Sequence, residues 1–173
     1  MDRLQRCGKY LGVAALLSIL AMPAVSWALP QKGKPAPAIQ VMTTSGQKVT
    51  LANYRGYVLV IEFFTTWCEG CNASLPHLIS FNREYGKQGL QILGLNPGVR
   101  GDNLDVVRRF IREKKINFPV ALVDDDLLVD YGVSPIPAIF IIDRKGYLVQ
   151  KYVGFNTEIE KDMESTIKSL LAQ

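Results

Sequence analysis

The sequence has few of the side chains that bind transition metals. Its 173 residues include one histidine and three cysteines, whereas a soluble metal site usually needs about three or four good ligands. Internal repeats and low-complexity tracts are also absent. The formal net charge is only +4, and half of it lies in residues 1–28. This argues against a nucleic-acid binder, which needs a concentrated basic face. With 48% hydrophobic residues, the chain suits one well-buried domain and is too short for two.

The first 28 residues have the pattern of an export signal. The segment "MDRLQRCGKY" is positively charged, residues 11–25 form an apolar core, and Ser26 and Ala28 are small residues of the kind that precede a cleavage site. The apolar core is shorter than the ~20 residues of a membrane-spanning helix. We therefore expect a signal peptide over residues 1–28, with an uncleaved membrane anchor as the alternative. Either arrangement places residues 29–173 outside the cytoplasm, in the periplasm if the cell is Gram-negative.

Two cysteines remain beyond this segment, since Cys7 lies within it. Cys68 and Cys71 are separated by two residues in "TTWCEGCNASLP". A disulfide between them closes a very small loop, so it restrains the unfolded chain little and is a poor structural crosslink. The same spacing keeps the second thiol within reach of the first, as cycling between dithiol and disulfide requires. The pair is therefore predicted to be redox-active.

The hydrophobic pattern predicts strands alternating with helices. The run "VLVIEFF" (58–64) is typical of a strand buried on both faces, and an amphipathic helix should follow over 69–85. The remaining elements are expected in this order: a strand over 90–97, a helix over 103–116, a strand over 118–125, a short helix over 125–133, a hairpin over 138–154 and a closing helix over 157–173. Strand–helix alternation followed by a hairpin and a helix predicts an α/β fold with a mixed sheet.

The two cysteines fall at the junction between the first buried strand and its helix. Cys68 is expected at or beside the first residues of the helix, where unpaired N–H groups and the helix dipole favour a thiolate. The thiolate is the nucleophile in disulfide exchange. Cys71 lies one turn further along and should be more buried, which suits a resolving thiol.

Two segments resemble the thioredoxin superfamily: "VIEFFTTWCEGCNASLP", which contains the cysteine pair, and "GVSPIPAIFIIDRKG" further along the chain. The N-terminal lead-in and the central "LQILGLNPG…FIREKKINFPV" unit resemble the TlpA/ResA-like branch of extracytoplasmic thiol–disulfide oxidoreductases, several of which serve cytochrome c maturation. The resemblance implies a thioredoxin-like fold over residues 29–173. Such a fold has a mixed central sheet flanked by helices, here with an N-terminal extension and a central strand–helix insertion.

The resemblance also implies roles near the cysteines. Cys68 matches the attacking thiol, Cys71 the resolving thiol, and Trp67 the tryptophan that flanks the pair. Glu62 matches a buried acid that assists proton transfer at the resolving thiol. An acid within an apolar strand should have a raised pKa, which suits general acid–base work near neutrality. The alternative is an acid at a strand edge that faces water.

Substrate contacts are expected on the other side of the pair. Pro137, preceded by Ile136, matches the family's cis-proline, and the backbone beside it would pair with an extended substrate chain. Pro135 is the competing candidate, but "AIFIID" directly after Pro137 sets the alignment. Glu69 and Gly70, the dipeptide between the cysteines, complete the expected substrate-binding residues. The acid at Glu69 disfavours the thiolate of Cys68, which favours a reductant of protein disulfides over a strong oxidant.

One acid of the family pattern has no counterpart here when the two sequence patterns are aligned residue by residue. ResA-type proteins have a glutamate soon after the segment that "LGLNPG" resembles, but here Val99 and Arg100 follow Gly98. Asp102 and Asp105 could replace it only if the loop folds back. The expected partners are protein disulfides, with apocytochrome c as a candidate, and a membrane electron donor. We expect no cofactor beyond the Cys68–Cys71 disulfide, no metal, no nucleic acid, and a monomer.

Two other functions compete with this hypothesis. A peroxiredoxin-like thiol peroxidase would have a threonine three residues before the attacking cysteine, as Thr65 is, but Ile61 stands where its proline would be. An extracytoplasmic copper-binding module or chaperone would need His77 as a third ligand. His77 lies six residues after Cys71 on the same helix and so points away from it, which predicts a helix-surface or packing role.

Overall fold

The computed structural model describes residues 29–173, so the signal-peptide prediction lies outside the described residues. Its centre is a five-stranded sheet of order β5-β4-β3-β6-β7. The strands are β3 (Val58–Phe63), β4 (Leu90–Asn96), β5 (Val120–Leu122), β6 (Ala138–Ile142) and β7 (Leu148–Val153). Strands β3, β4 and β5 are parallel, whereas β6 runs antiparallel to β3 and β7 antiparallel to β6. The predicted mixed sheet is confirmed.

Strand β3 is the middle strand, and all six of its residues are buried. Its side chains alternate between the two faces of the sheet. Val58 and Val60 join one core cluster, while Leu59 and Ile61 join a second cluster on the opposite face. Continuous burial explains why the strand reads as an unbroken apolar run. By the same alternation Glu62 lies on the face of Val58 and Val60, which places an acid inside a core cluster.

Four α-helices accompany the sheet: α1 (Glu69–Tyr85), α2 (Leu104–Lys114), α3 (Asp125–Asp130) and α4 (Thr157–Leu171). Asn103, Asp124 and Asn156 cap the last three by accepting hydrogen bonds from backbone N–H groups of the first turn. Such caps satisfy donors that the helix itself leaves unpaired. Helices α1, α2 and α4 contribute to the core cluster on the face that carries Glu62. None of the helices within residues 29–173 has the length and apolar character needed to cross a membrane.

The N-terminal extension forms a small antiparallel sheet of β1 (Gln40–Met42) and β2 (Lys48–Thr50). Beyond β1, Thr43 makes an isolated bridge to Ala121 of β5, and the N–H of Thr44 donates to the carbonyl of Val120 at 2.7 Å. The extension therefore covers the edge of β5, which would otherwise present unpaired backbone groups.

Several elements are shorter than the sequence predicts, and two differences have a clear local cause. The expected strand over 118–125 is shorter, because Asp124 uses its carboxylate to cap α3. The helix over 69–85 has the predicted bounds, but Gly86 keeps helical dihedral angles and a short 3-10 helix (Gly86–Gln88) follows. The left-handed glycine that ends this turn is Gly89, with φ 107°. Glycine adopts that conformation at little cost.

Candidate active site

Cys68 and Cys71 form a disulfide at the start of α1, with their Cα atoms 5.2 Å apart. Cys68 is the N-cap of the helix, and its Sγ accepts a hydrogen bond of 3.1 Å from the backbone N–H of Cys71. The apolar strand β3 ends at Phe63, so the chain leaves the sheet and turns into the helix at the first cysteine. The same N–H and the helix dipole would stabilise a thiolate at Cys68 in the reduced protein.

The two sulfur-bearing residues differ in their access to solvent. Cys68 is 7% exposed and Cys71 is 2% exposed, and both belong to the core cluster that contains α1. An incoming disulfide therefore reaches Cys68 more readily. The order of burial agrees with the sequence expectation of an outer attacking thiol and an inner resolving thiol.

The proline segment packs against the dipeptide between the cysteines. The Ser134–Pro135 and Ile136–Pro137 peptide bonds are both cis. Of the two prolines, the buried Pro137 is the one that meets Gly70: a Cβ on Gly70 would lie 3.1 Å from Pro137 Cδ. Ile136 is half-buried beside it. The structure thus brings Gly70, Ile136 and Pro137 together.

Glu62 is buried and is connected to the backbone of Cys71 through Ser74. It is 1% exposed, and the hydroxyl of Ser74 is its hydrogen-bonding partner among residues 29–173. Burial raises the pKa of Glu62 to about 8, and the Ser74 hydrogen bond opposes that rise. Ser74 Oγ also lies 3.0 Å from the carbonyl oxygen of Cys71. The position of Glu62 is therefore that of a buried acid rather than of an acid at a strand edge.

Trp67 and the loop after β4 form the exposed rim of the site. Trp67 is 44% exposed, and its Nε1 lies 3.5 Å from the carbonyl oxygen of Val99. The guanidinium of Arg100 lies over the indole ring, 4.8 Å from its centroid, a cation–π arrangement. Glu69 is exposed in the first turn of α1. Charged side chains of both signs therefore border Cys68.

The loop does fold back, which makes Asp102 an acid of this region. Asp102 is 5% exposed, and its Oδ2 accepts hydrogen bonds from the Thr66 N–H at 2.8 Å and from the Asn96 amide at 2.7 Å. Its Oδ1 accepts from the Thr66 hydroxyl at 2.5 Å. Asp105 is exposed on α2 instead. Asp102 therefore ties the loop to Thr66, the residue that precedes Trp67.

Three further residues near the cysteine pair are not predicted by the sequence as part of the site. Ser74 contacts Glu62, as described. Asn72 donates its amide to the carbonyls of Cys68 at 2.9 Å and Thr66 at 3.3 Å. Asn96 orients Asp102 and accepts from the Gly98 N–H at 2.8 Å. All three are short polar residues whose partners are set by tertiary folding, so no local pattern marks them.

His77 lies outside this site. Its Nδ1 is 2.6 Å from Glu160 Oε1 on α4, and its ring packs near Phe155. This agrees with the packing role expected from helical geometry. Over residues 29–173, no group of three or more histidine, cysteine or acidic side chains is placed to hold a metal ion.

A mixed sheet, a C-x-x-C disulfide at a helix N-terminus and a neighbouring cis-proline together define a thioredoxin-like thiol–disulfide oxidoreductase. Comparison with known proteins agrees. The chain belongs to the AhpC/TSA family, whose model matches residues 32–151. It is similar to the thiol-disulfide oxidoreductase ResA of Bacillus subtilis (strain 168), with 31% identity over 128 residues, 73% of this chain and 70% of the relative. ResA of Geobacillus thermodenitrificans is 32% identical over 136 residues, 77% and 76% of the two chains.

Solved structures of thiol–disulfide oxidoreductases are also similar to this chain. A putative thiol:disulfide interchange protein DsbE from Chlorobium tepidum superposes with a TM-score of 0.75 at 26% identity, covering 82% of this chain and 99% of that one. StoA from Bacillus subtilis gives a TM-score of 0.63 at 25% identity, covering 75% and 95%. The predicted fold and the predicted enzyme class are confirmed.

Proposed function

We propose that the protein is an exported reductant of protein disulfides. In this proposal residues 1–28 are a signal peptide, or an uncleaved anchor, and residues 29–173 are the catalytic domain outside the cytoplasm. The observation that carries it is the placement of Cys68, whose sulfur accepts the Cys71 N–H at the N-terminus of α1. The reaction needs no cofactor beyond the two cysteines.

The reaction would proceed in two exchanges. The Cys68 thiolate attacks one sulfur of the substrate disulfide, and the other substrate sulfur leaves as a thiolate that takes up a proton. Cys71 then loses its proton to Glu62 and attacks Cys68 Sγ, which releases the second substrate thiol. Two electrons pass to the substrate, and the protein ends with the Cys68–Cys71 disulfide. A membrane electron donor would restore the dithiol.

The substrate would lie along the cis-proline segment. Among residues 29–173, the backbone N–H and carbonyl of Ile136 have no hydrogen-bond partner, whereas the Pro137 carbonyl is occupied by the Gly154 N–H at 2.8 Å. An extended substrate chain can pair with such a free backbone segment. Gly70 leaves room for Pro137, Trp67 supplies an exposed apolar face, and Glu69 adds a charge at the rim.

Two features support reduction as the direction and apocytochrome c as a candidate client. The negative charge of Glu69 beside Cys68 disfavours the thiolate and so disfavours a strong oxidant. In this proposal Asp102, an acid of the loop after β4 that contacts Thr66, takes the place of the glutamate of the ResA-like pattern. The protein would act as a monomer that binds one substrate disulfide at a time.

Trapping of the mixed disulfide tests this proposal. Cys71→Ser should accumulate a covalent adduct with its substrate, because the resolving thiol is gone, whereas Cys68→Ser should form none. Diagonal gels run with and without reductant, followed by mass spectrometry, would identify the partner and the linked cysteine. Equal trapping by both variants, or by neither when the wild type still exchanges disulfides, would refute the assigned roles.

A thiol peroxidase is the second candidate, favoured by one observation. The hydroxyl of Thr65, three residues before Cys68, is buried and has no hydrogen-bond partner among residues 29–173. A hydroxyl in that position can donate to a bound peroxide oxygen. Consumption of hydrogen peroxide by the reduced wild type but not by Thr65→Val would favour this function. Peroxide consumption at the rate of free thiols would exclude it.

A further inference from the structure

On the buried face of the site, one hydroxyl connects Glu62 with the backbone of Cys71. Ser74 Oγ lies within hydrogen-bonding distance of two acceptors, Glu62 Oε1 and the Cys71 carbonyl oxygen. A serine hydroxyl has one proton to donate and can accept as well. If Glu62 is protonated, its carboxyl donates to Ser74 Oγ and the Ser74 hydroxyl donates to Cys71, so all three groups are paired.

Ionisation of Glu62 changes this arrangement. The carboxylate has no proton to give, and it is a stronger acceptor than a carbonyl because it is charged. The Ser74 hydroxyl then turns towards Glu62 and leaves the Cys71 carbonyl. A single rotatable hydroxyl thus connects the charge of the buried acid with the backbone of the resolving cysteine.

The other groups on this face cannot replace Ser74. The backbone neighbours of Glu62 in the sheet are Gly94 on β4 and Ile139 on β6, and α4 contributes the apolar Met163 and Ile167. The titratable groups of this face are Cys68, Cys71, Tyr85 and Tyr152, with Glu164 and Asp162 from α4 beside the tyrosines. Both tyrosines donate to those carboxylates and are therefore already paired. Of the two cysteines, Cys71 is the one whose backbone contacts Ser74, the partner of Glu62, so it is the group placed to exchange a proton with Glu62.

We propose that Ser74 is a positioning residue of the redox site: its hydroxyl stabilises the Glu62 carboxylate and so keeps the buried acid able to accept the proton of Cys71. The inference depends on the proton-transfer role of Glu62 proposed above. Without Ser74, the carboxylate would have no hydrogen bond in a site closed to water. At any given pH a smaller fraction of Glu62 would then be ionised and able to act as the base for Cys71.

The test is a titration of the Glu62 carboxyl by NMR in the full chain, labelled at glutamate side-chain carboxyls. The wild type should titrate with a midpoint of about 8. Ser74→Ala should raise the midpoint by about one to two pH units, the equivalent of one hydrogen bond to a charged group. Ser74→Thr, which keeps the hydroxyl, should restore it. Ser80→Ala, an exposed serine on the same helix, is the matched control and should change nothing.

A second measurement uses the wild type alone and remains informative if Ser74→Ala does not fold. The isotope-labelled carbonyl carbon of Cys71 should titrate with the same midpoint as the Glu62 carboxyl, since one hydroxyl serves both. A Cys71 carbonyl that does not follow Glu62, or an unchanged Glu62 midpoint in Ser74→Ala, would overturn the inference.

The kinetic consequence separates this inference from the proposed role of Glu62. The pH profile of disulfide exchange should move to higher pH in Ser74→Ala, in parallel with the titration. If Glu62→Gln leaves the exchange profile unchanged, the proton-transfer role of Glu62 fails, whatever the titration shows. If the Glu62 midpoint does not move, the role of Ser74 fails, whatever the exchange rate.

Discussion

The two sides of the cysteine pair differ in almost every physical respect. Beneath it, Glu62, Ser74 and Cys71 are closed off from water and meet through hydrogen bonds. Above it, Trp67 and Arg100 are exposed and meet through a cation–π contact. The proposed proton transfer depends on the enclosed side, because burial raises the pKa of Glu62 to about 8. Substrate choice needs the exposed side, because only that surface can touch another protein.

This contrast predicts that changes below the pair alter stability and pH dependence, whereas changes above it alter rates with particular substrates. The largest expected effect is that of Glu62→Gln on stability. The unfolded chain ionises Glu62 near 4.5, but the folded protein keeps the proton until about pH 8. The unfolded state therefore binds fewer protons between these values, and the free energy of unfolding falls as pH rises through that window. Glutamine does not ionise, so the variant should escape this loss.

Urea unfolding at pH 4.5 and at pH 8 would measure this pH dependence of the free energy of unfolding. Glu62→Gln should exceed the wild type at the higher pH by an amount on the order of a few kcal/mol, with a smaller difference at the lower pH. Glu113→Gln, at an exposed position on α2, is the control. Parallel pH dependences of wild type and Glu62→Gln would contradict a buried, protonated Glu62.

The next largest effect is expected at Asp102, which ties the loop after β4 to Thr66. Asp102→Ala removes the acceptor of the Thr66 N–H, the Thr66 hydroxyl and the Asn96 amide. The Asn96 amide is buried and the Thr66 donors are partly buried; leaving one buried donor unpaired costs about 1–3 kcal/mol, so the unfolding free energy should fall by about this amount. The exchange rate should fall as well, because the segment before Cys68 loses its anchor. Asp105→Ala, an exposed acid close by, should cost less than about 1 kcal/mol. Equal losses in both variants would refute a special role for Asp102.

Packing between the cysteine turn and the cis-proline is the third test. Gly70→Ala places a methyl group 3.1 Å from Pro137 Cδ, so the proline ring must shift by a few tenths of an ångström. We expect a cost of about 1 kcal/mol in stability from overpacking. Displacement of the substrate-pairing segment should slow exchange about tenfold. Gly86→Ala is the matched control, since its methyl group meets only Asn82 Oδ1 at an ordinary 3.8 Å. Full activity of Gly70→Ala would mean that the segment tolerates displacement.

The smallest effect on stability is expected at the rim. Arg100→Ala removes one exposed cation–π contact, worth about 0.5–1 kcal/mol. Its effect on exchange should depend on charge, with slower reaction of acidic substrate peptides, most clearly at low salt, and little change for neutral ones. Lys161→Ala removes an exposed cation on α4 and serves as the control. An equal loss of rate for acidic and neutral peptides would mean that Arg100 acts through loop structure instead.

The enclosed side was the more predictable of the two from sequence. The apolar composition of the segment from Val58 to Phe63 predicts a buried strand. Burial of the strand places Glu62 in the core. Helix α1 begins where a polar turn follows an apolar strand, so the positions of the two cysteines relative to the sheet could be foreseen. The contact of Ser74 could not be foreseen, because no sequence feature connects a serine in this helix with an acid 12 residues earlier.

The exposed side was less predictable, because its structure depends on the conformation of a loop. The loop reaches Thr66 because Gly98, Arg100 and Gly101 adopt positive φ angles of 67°, 52° and 91°. Two of these are glycines, for which such angles are easy, but Arg100 is not, and nothing local predicts that it would take one. For this reason counting residues after Gly98 finds no acid near the site, whereas the three-dimensional path of the chain brings Asp102 into contact with Thr66.

The most direct test of the account is which thiol reacts first. The fully reduced chain would be exposed briefly to a limiting amount of iodoacetamide near neutral pH, and the modified cysteine identified by peptide mass spectrometry. We expect modification of Cys68, because the more deeply buried Cys71 is protected from the reagent. Faster or equal modification of Cys71 would contradict it, because the enclosed side of the pair would then be the nucleophilic one.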